Sequence, residues 1–513
     1  MAFRKAIELD PKVAGLWHNL GCLLAMTPER TGEAETACRK AIELDPKFAG
    51  SWNNLGDLLA KTPERTEDAE AAYRKAIELH PTSAGLWNKL GNLVARAVER
   101  AAEAGAAYRK AIELDPKVGG YWSNLGNILA KAPERAEDAE TAYRNAIELD
   151  PKYASFWSNL GNLLAETPER TADAEAAYRK AIELNPKRAA CWNNLGDLLA
   201  KTPERTADAE RAFRKAIELD SMVGHFWNNL ANVLGWMPNR REDGEAAYRK
   251  AIELDPKDAM FWGDLGAFLA CQAVRPKDAE VALRNSVQLG PDNPRNIRNL
   301  GVLLYCELAE PKEATDYLGR AHQLNPEDPV SRAIFAASLG DSDTAHEQVR
   351  ISVDAARGDA FWSELLGLCQ NYPPFGKILI GICDLVQERD HSNRFVPLYR
   401  AVALAQLRDF PRASVALEDA MTGDPIDLLS IGQRALETFF AAAVKSGRVR
   451  DCLDAIDKKD WKDAWRPIYE ALRAVEEGSA GYLKRVAVEI RDPAVAILRR
   501  IAPQLPNLPE RAR

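Results

Sequence analysis

The sequence predicts an all-α protein, an α-solenoid of stacked helix–turn–helix repeats that runs into a degenerate helical C-terminal part. Three observations predict it. A tryptophan recurs every 35 residues, at Trp17, Trp52, Trp87, Trp122, Trp157, Trp192, Trp227 and Trp262, and a fixed period of this size is the mark of a stacked repeat. Within each period the apolar residues fall on one helical face: Trp52, Leu55, Gly56 and Leu59 stand at i, i+3, i+4 and i+7. Prolines then close each stretch, at Pro63 and again at Pro81, because a residue without an N–H cannot continue the helical ladder.

The unit from Trp52 to Pro81 reads WNNLGDLLAKTPERTEDAEAAYRKAIELHP. Its first half is one helix and Lys61-Thr62-Pro63-Glu64-Arg65 is the turn. Ala69, Ala72, Tyr73, Ala76 and Ile77 form the apolar face of the second helix. Thr66 is expected to cap that helix, with Glu67 and Asp68 near the positive end of its dipole. Gly56 and Ala69 lack bulk, so the two backbones are expected to approach closely. The tryptophan is expected to fill the joint between units, where full burial would contribute roughly 4–6 kcal/mol gross.

In chain order, residues 1–12 match the second helix of a unit without its first. The expectation is therefore a piece of a longer protein, or an end covered by something else. A regular array of nine units spans 13–327, the ninth lacking Trp but keeping Ile297, Leu300-Gly301, Ala314, Leu318, Ala321 and Pro326. Ala231 in place of Gly, Ser221 in place of Pro, and the missing Thr-Pro before Ala101 are expected weak points. Degenerate units follow over 328–427: a shortened one around Ala336 and Ala345, a stretch with Phe361-Trp362 and Tyr372-Pro373-Pro374, and one with Ala413, Leu417, Ala420 and Pro425. Residues 428–513, with Trp461, Trp465, Tyr469 and Tyr482, read as an irregular helical cap.

Trp52, Leu55-Gly56, Ala69, Tyr73, Ala76 and Pro81, recurring in this order, resemble the tetratricopeptide repeat. The resemblance implies a right-handed array that recognises proteins or peptides. The period here is 35 rather than the family's 34, with the extra residue near the Thr-Pro turn.

Composition narrows the function. A chain of 513 residues exceeds one compact core, a limit that a solenoid escapes. A net charge of −8 argues against a general nucleic-acid binder, and no apolar run approaches the ~18 residues needed to cross a membrane. With no visible signal peptide and eight cysteines scattered without a CxxC pair, a cytoplasmic protein with reduced thiols is expected. The six histidines form no HxxxH or HExxH pair, Gly376-Lys377 lacks the glycine of a phosphate loop, and no GxSxG occurs. No enzyme activity, metal or cofactor is expected.

The polar face of the first helix is the candidate site. The second position after each Trp, continued through the ninth unit, reads Asn19, Asn54, Lys89, Asn124, Asn159, Asn194, Asn229, Asp264 and Asn299. The fifth reads Cys22, Asp57, Asn92, Asn127, Asn162, Asp197, Asn232 and Ala267. Asparagine is a mediocre helix former, but its carboxamide offers the donor and acceptor that an extended peptide backbone needs. The row resembles the asparagine ladder inside the repeat superhelix of O-GlcNAc transferases, which implies that the first helices line a concave peptide-binding face. With Lys89 as its single cation, the row does not fit capture of a C-terminal carboxylate. Tyr121, Phe156, Phe226 and Phe261 are expected to pack between units, and pairs such as Glu70–Arg74 to support the surface. A protein-recognition scaffold is therefore expected. It would be the target-sensing arm of a larger multidomain protein, as in signalling or antiviral NTPases of the STAND class, whose sensors are arrays of this kind. The alternatives are the substrate-docking region of an enzyme such as a glycosyltransferase, or a free-standing scaffold or cochaperone.

Overall fold

A computed structural model describes residues 2–502 apart from 236, 238, 272–274, 340–342, 356–358, 372, 388–394, 422–424, 460 and 479–487. The described residues carry helices and no strand, and they fall into two units, Met1–Val233 and Leu234–Arg513.

In the first unit α1 (Ala2–Leu9) precedes six hairpins. These are α2–α3 (Ala14–Ala25, Thr31–Leu44), α4–α5 (Ala49–Leu59, Thr66–Leu79) and α6–α7 (Ala84–Val94, Ala101–Leu114), then α8–α9 (Gly119–Leu129, Ala136–Leu149), α10–α11 (Ala154–Leu164, Thr171–Leu184) and α12–α13 (Ala189–Ala200, Thr206–Leu219). The chain crosses between the units within α14 (Gly224–Gly235). The second helix of each hairpin packs on the first helix of the next, α3 on α4, α5 on α6 and α7 on α8, so every apolar face finds a neighbour.

Small residues make that packing close. Ala34, Ala69, Ala104, Ala139, Ala174 and Ala209 are fully buried, one per hairpin. The glycine of the first helix faces the residue 17 positions later: a Cβ on Gly56 would stand 2.6 Å from the Tyr73 ring, and one on Gly126 2.6 Å from Tyr143. This corrects the expectation for Gly56, which makes room for an aromatic ring rather than for a backbone.

Three more expectations change. The tryptophans are half-buried rather than sealed in the joints. Each indole N–H donates to the carbonyl six residues earlier, as Trp52 does to Pro46 (2.9 Å) and Trp157 to Pro151 (2.9 Å), tying the first helix to the end of the preceding one. Ser221 leaves the end of its repeat unchanged in geometry: α13 ends at Leu219 as its counterparts do, and Trp227 bonds to the Ser221 carbonyl at 3.0 Å. Thr66 does not cap; it is the first residue of α5, and its hydroxyl donates to the Pro63 carbonyl at 2.7 Å. The turn is a single 3-10 turn, Pro63–Arg65, and Val98–Arg100 makes the same turn without proline. Its arginine is what recurs. Arg65 reaches back to Glu35 at 2.7 and 3.0 Å, Arg100 to Glu70 at 2.7 and 2.9 Å, and Arg205 to Glu175 at 2.7 and 3.2 Å. These two-pronged pairs link consecutive second helices. Together with Arg74, Arg100 draws the Glu70 carboxyl down to about 2. Where Gly105 stands in place of that glutamate, Arg135 bonds, among the described residues, only within its own repeat, to Asp138.

In the second unit α15 (Arg241–Leu254) precedes α16–α17 (Ala259–Cys271, Pro276–Leu289) and α18–α19 (Pro294–Leu303, Pro311–Leu324). The shortened unit is α20–α21 (Pro329–Ser338, Asp343–Ala355). Then come α22 (Asp359–Asn371), α23 (Gly376–Gln387), α24–α25 (Phe395–Gln406, Phe410–Ala420), α26 (Pro425–Lys445), α27 (Val449–Lys458), α28 (Arg466–Glu476) and α29 (Val488–Ile501). Phe361, Trp362, Trp461 and Trp465 are buried, so the C-terminal tryptophans are core rather than a docking face. Tyr372 and Tyr482 lie outside the described residues. No described helix is long and apolar enough to cross a membrane.

Candidate functional site: the asparagine row

Helical spacing puts the second and fifth positions after each Trp on one side of the first helix, and stacking brings the second position of one hairpin against the fifth of the hairpin before. The contacts are direct. Asn124 donates both amide hydrogens backward, to Asn88 Oδ1 at 2.9 Å and Asn92 Oδ1 at 3.2 Å. Asn159 does the same to Ser123 Oγ (3.3 Å) and Asn127 Oδ1 (3.1 Å), and Asn194 donates to Asn162 Oδ1 at 2.8 Å. Asn229 donates to Asn193 Oδ1 at 3.0 Å, and Asn54 to Cys22 Sγ at 2.8 Å. The fifth-position oxygen takes a second bond from its own hairpin: Tyr108, Tyr143 and Tyr178 donate their hydroxyls to Asn92, Asn127 and Asn162 at 2.8, 2.9 and 2.9 Å.

The charged step fixes the direction of this ladder, because ammonium only donates and carboxylate only accepts. Lys89 donates to Asn53 Oδ1 at 2.9 Å and Asp57 Oδ2 at 2.6 Å, while Tyr73 donates to Asp57 Oδ1 at 2.8 Å. Lys89 and Asp57 thus neutralise each other within the row.

At three consecutive steps the ladder occupies half of each second- and fifth-position carboxamide. Among the described residues, Oδ1 of Asn124, Asn159 and Asn194 accepts no hydrogen bond, and Nδ2 of Asn92, Asn127 and Asn162 donates none. Asn92, Asn127 and Asn162 are exposed, and Asn124, Asn159 and Asn194 are half-buried. Each of these three steps therefore presents one free acceptor and one free donor group side by side. Asn19 is exposed, and Asn232 lies at the fifth position of α14. At the other end His18, beside Ser51 (3.3 Å) and Asn54 (3.4 Å), is held below its ordinary pKa by burial.

Asp197 departs from the pattern. Its hairpin carries Phe213 where the four before it carry Tyr73, Tyr108, Tyr143 and Tyr178, so no such hydroxyl reaches it, and among the described residues it accepts a single bond, from Asn193 at 3.0 Å. Solvent reaches Asp197, yet the crowding along the row removes enough water to push its carboxyl up to about 6. In the second unit the row changes character: Asp264 faces Arg295 at 3.6 Å, and Ala267 holds the fifth position.

The tyrosine hydroxyls and the residues directly after each Trp (Asn53, Asn88, Ser123, Asn193) belong to this network, and sequence reasoning missed them. The available signals were the 16-residue spacing from fifth position to tyrosine, and Phe213 replacing tyrosine where Asp197 replaces asparagine. Tyr121 is half-buried, whereas Phe156, Phe226 and Phe261 are buried, packing residues as expected. Among the described residues no group of three or more His, Cys, Asp or Glu side chains could hold a metal.

Comparison with known proteins agrees with the repeat geometry. Family profiles described as "Tetratricopeptide repeat" match residues 2–39, 37–71, 64–119, 168–221 and 239–294, and one described as "TPR repeat" matches 134–167. No curated protein matches. Among solved structures, YrrB, described as "a TPR protein with an unusual peptide-binding site", is 28% identical, covering 36% of this chain and 93% of its own with a TM-score of 0.30. MamA is 24% identical over 33% of this chain and 95% of its own, with a TM-score of 0.29. The human IFIT1 dimer with m7Gppp-AAAA is 13% identical over 73% and 89%, with a TM-score of 0.45. The matched family segments span just over half of the 513 residues, and the chain belongs to the tetratricopeptide repeat family.

Proposed function

We propose that the asparagine row of the first unit holds the backbone of an extended peptide. The carrying observation is the pair of free groups at three consecutive steps, the Oδ1 of Asn124, Asn159 and Asn194 beside the Nδ2 of Asn92, Asn127 and Asn162. A peptide presents the complementary N–H and C=O at every residue. The ladder also fixes the rotamers of both carboxamides before a ligand arrives, which lowers the entropic cost of binding. Recognition through the backbone tolerates many side-chain sequences, and this supports the finer reading: the array senses protein targets for a larger multidomain protein. Substrate docking for an enzyme would use the same chemistry, and a catalytic domain encoded in the same gene would favour it.

The test uses the precedent of Asp57, which keeps the ladder while lacking an N–H. Asn92→Asp, Asn127→Asp and Asn162→Asp together retain the acceptors for Tyr108, Tyr143 and Tyr178 and delete the free donors. A fifteen-residue peptide selected from a displayed library against the whole chain should bind this triple variant about tenfold or more weakly, at high salt as well as low, with circular dichroism unchanged. Equal affinity would remove the row as the site.

A further inference from the structure

The ninth hairpin, within the second unit, opens a pocket on the same helix face that carries asparagines earlier in the chain. Its volume is about 190 Å³. Half-buried Ala267 at the fifth position and Asn299 at the second line it, with the buried Leu283, Ile334 and Phe375. Two guanidiniums line it. Arg295 is 66% exposed, and its nearest carboxylate, Asp264, stands at 3.6 Å, too far for a hydrogen bond. Arg298 is 16% exposed; its Nη1 bonds Asp328 Oδ2 and Ser331 Oγ, both at 3.3 Å, while its buried Nε has no partner.

We infer that this pocket binds a carboxylate carrying a short branched or aromatic apolar group. The apolar lining requires a hydrophobic body, and a cavity of about 150 Å³ already holds benzene, so this one accommodates a body of that size with a carboxylate beside the arginines. Guanidiniums bind carboxylates through paired hydrogen bonds. The charge count selects carboxylate over phosphate. Asp264 and Asp328 already offset part of the two arginine charges, leaving the site suited to one negative charge rather than the nearly two of a phosphate monoester. The asparagine row of the first unit plays no part in this site.

Phenylacetate, 4-methylpentanoate and an acetylated tetrapeptide ending in leucine serve as probes, titrated calorimetrically into the full chain. At least one should bind saturably. Its amide counterpart should bind about tenfold more weakly or worse, and Arg295→Gln should weaken the acid about tenfold. Ala267→Leu, or Val302→Phe if the first variant melts early, should abolish binding by filling the cavity. Tighter binding of the peptide than of the free acids assigns the site to a chain terminus, and the reverse assigns it to a small acid; both support the inference. Equal binding of acid and amide, unchanged binding by both filled-pocket variants, or no saturation by any probe would overturn it.

Discussion

Asp197→Asn tests whether the row is as crowded as its geometry indicates. In the folded chain the Asp197 carboxyl titrates at about 6, against an ordinary value of 3.8. The cause is loss of water around the carboxylate, opposed by the Asn193 amide and by Lys201. A folded pKa above the unfolded one means that ionisation opposes folding. No penalty exists below about 3.8; it grows between there and about 6, and it is constant above. A gap of about two units corresponds to about 3 kcal/mol for a fully buried group, and because Asp197 is open to solvent, screening leaves about 1 kcal/mol. Asparagine removes the charge and restores the residue that the row carries at Asn92, Asn127 and Asn162. Because arrays unfold locally, the assay is hydrogen exchange of α12 and α13, wild type against variant, at a series of pH values. Exchange in the variant should match wild type near pH 4 and run about fivefold slower at pH 7.5. A ratio that stays constant from pH 4 to pH 8, or faster exchange in the variant at pH 7.5, would refute the reasoning.

Arg100→Ala should loosen the link between α5 and α7 at neutral pH. Glu70 is held at about 2 chiefly by its hydrogen bonds to Arg100, so the stabilisation is present above the ordinary carboxylate range and is lost as pH falls through about 2; urea melts at pH 7 and pH 3 should show the variant's deficit shrinking with acid. Gly126→Ala should destabilise by up to about 2 kcal/mol. The helix gains up to about 1 kcal/mol of propensity, but the new methyl stands 2.6 Å from the Tyr143 ring, and overpacking of this kind costs about 1–3 kcal/mol. A rise in urea midpoint for this variant would sink the explanation of the glycine.

Two networks hold consecutive hairpins together on opposite helices, and they differ in what they leave over. On the second helices the Arg65–Glu35 and Arg100–Glu70 pairs satisfy both partners. On the first helices six carboxamides, from Asn92 to Asn194, bond through one end and leave the other open. The same stacking step therefore makes a finished surface on one helix and an unfinished one on the other. That difference is the physical basis of the proposal that the first helices carry recognition.

The sequence alone determined the repeat, the hairpin and the family. Those depend on local rules, 3.6-residue periodicity and the missing proline N–H, written into most copies from Trp17 onward. It also located the row of asparagines, because a fixed period keeps equivalent residues in register. The tertiary structure alone decided what those asparagines do. Whether Asn159 is free depends on Ser123 and Asn127, 36 and 32 residues earlier, and whether Asn127 is free depends on Tyr143 in the other helix. The same holds for the half-exposed indoles, for Gly56 against Tyr73, and for the arginine that reaches a glutamate one repeat back. Helical periodicity says which face a residue occupies; only the stacking distance and angle between hairpins say which atoms on that face meet.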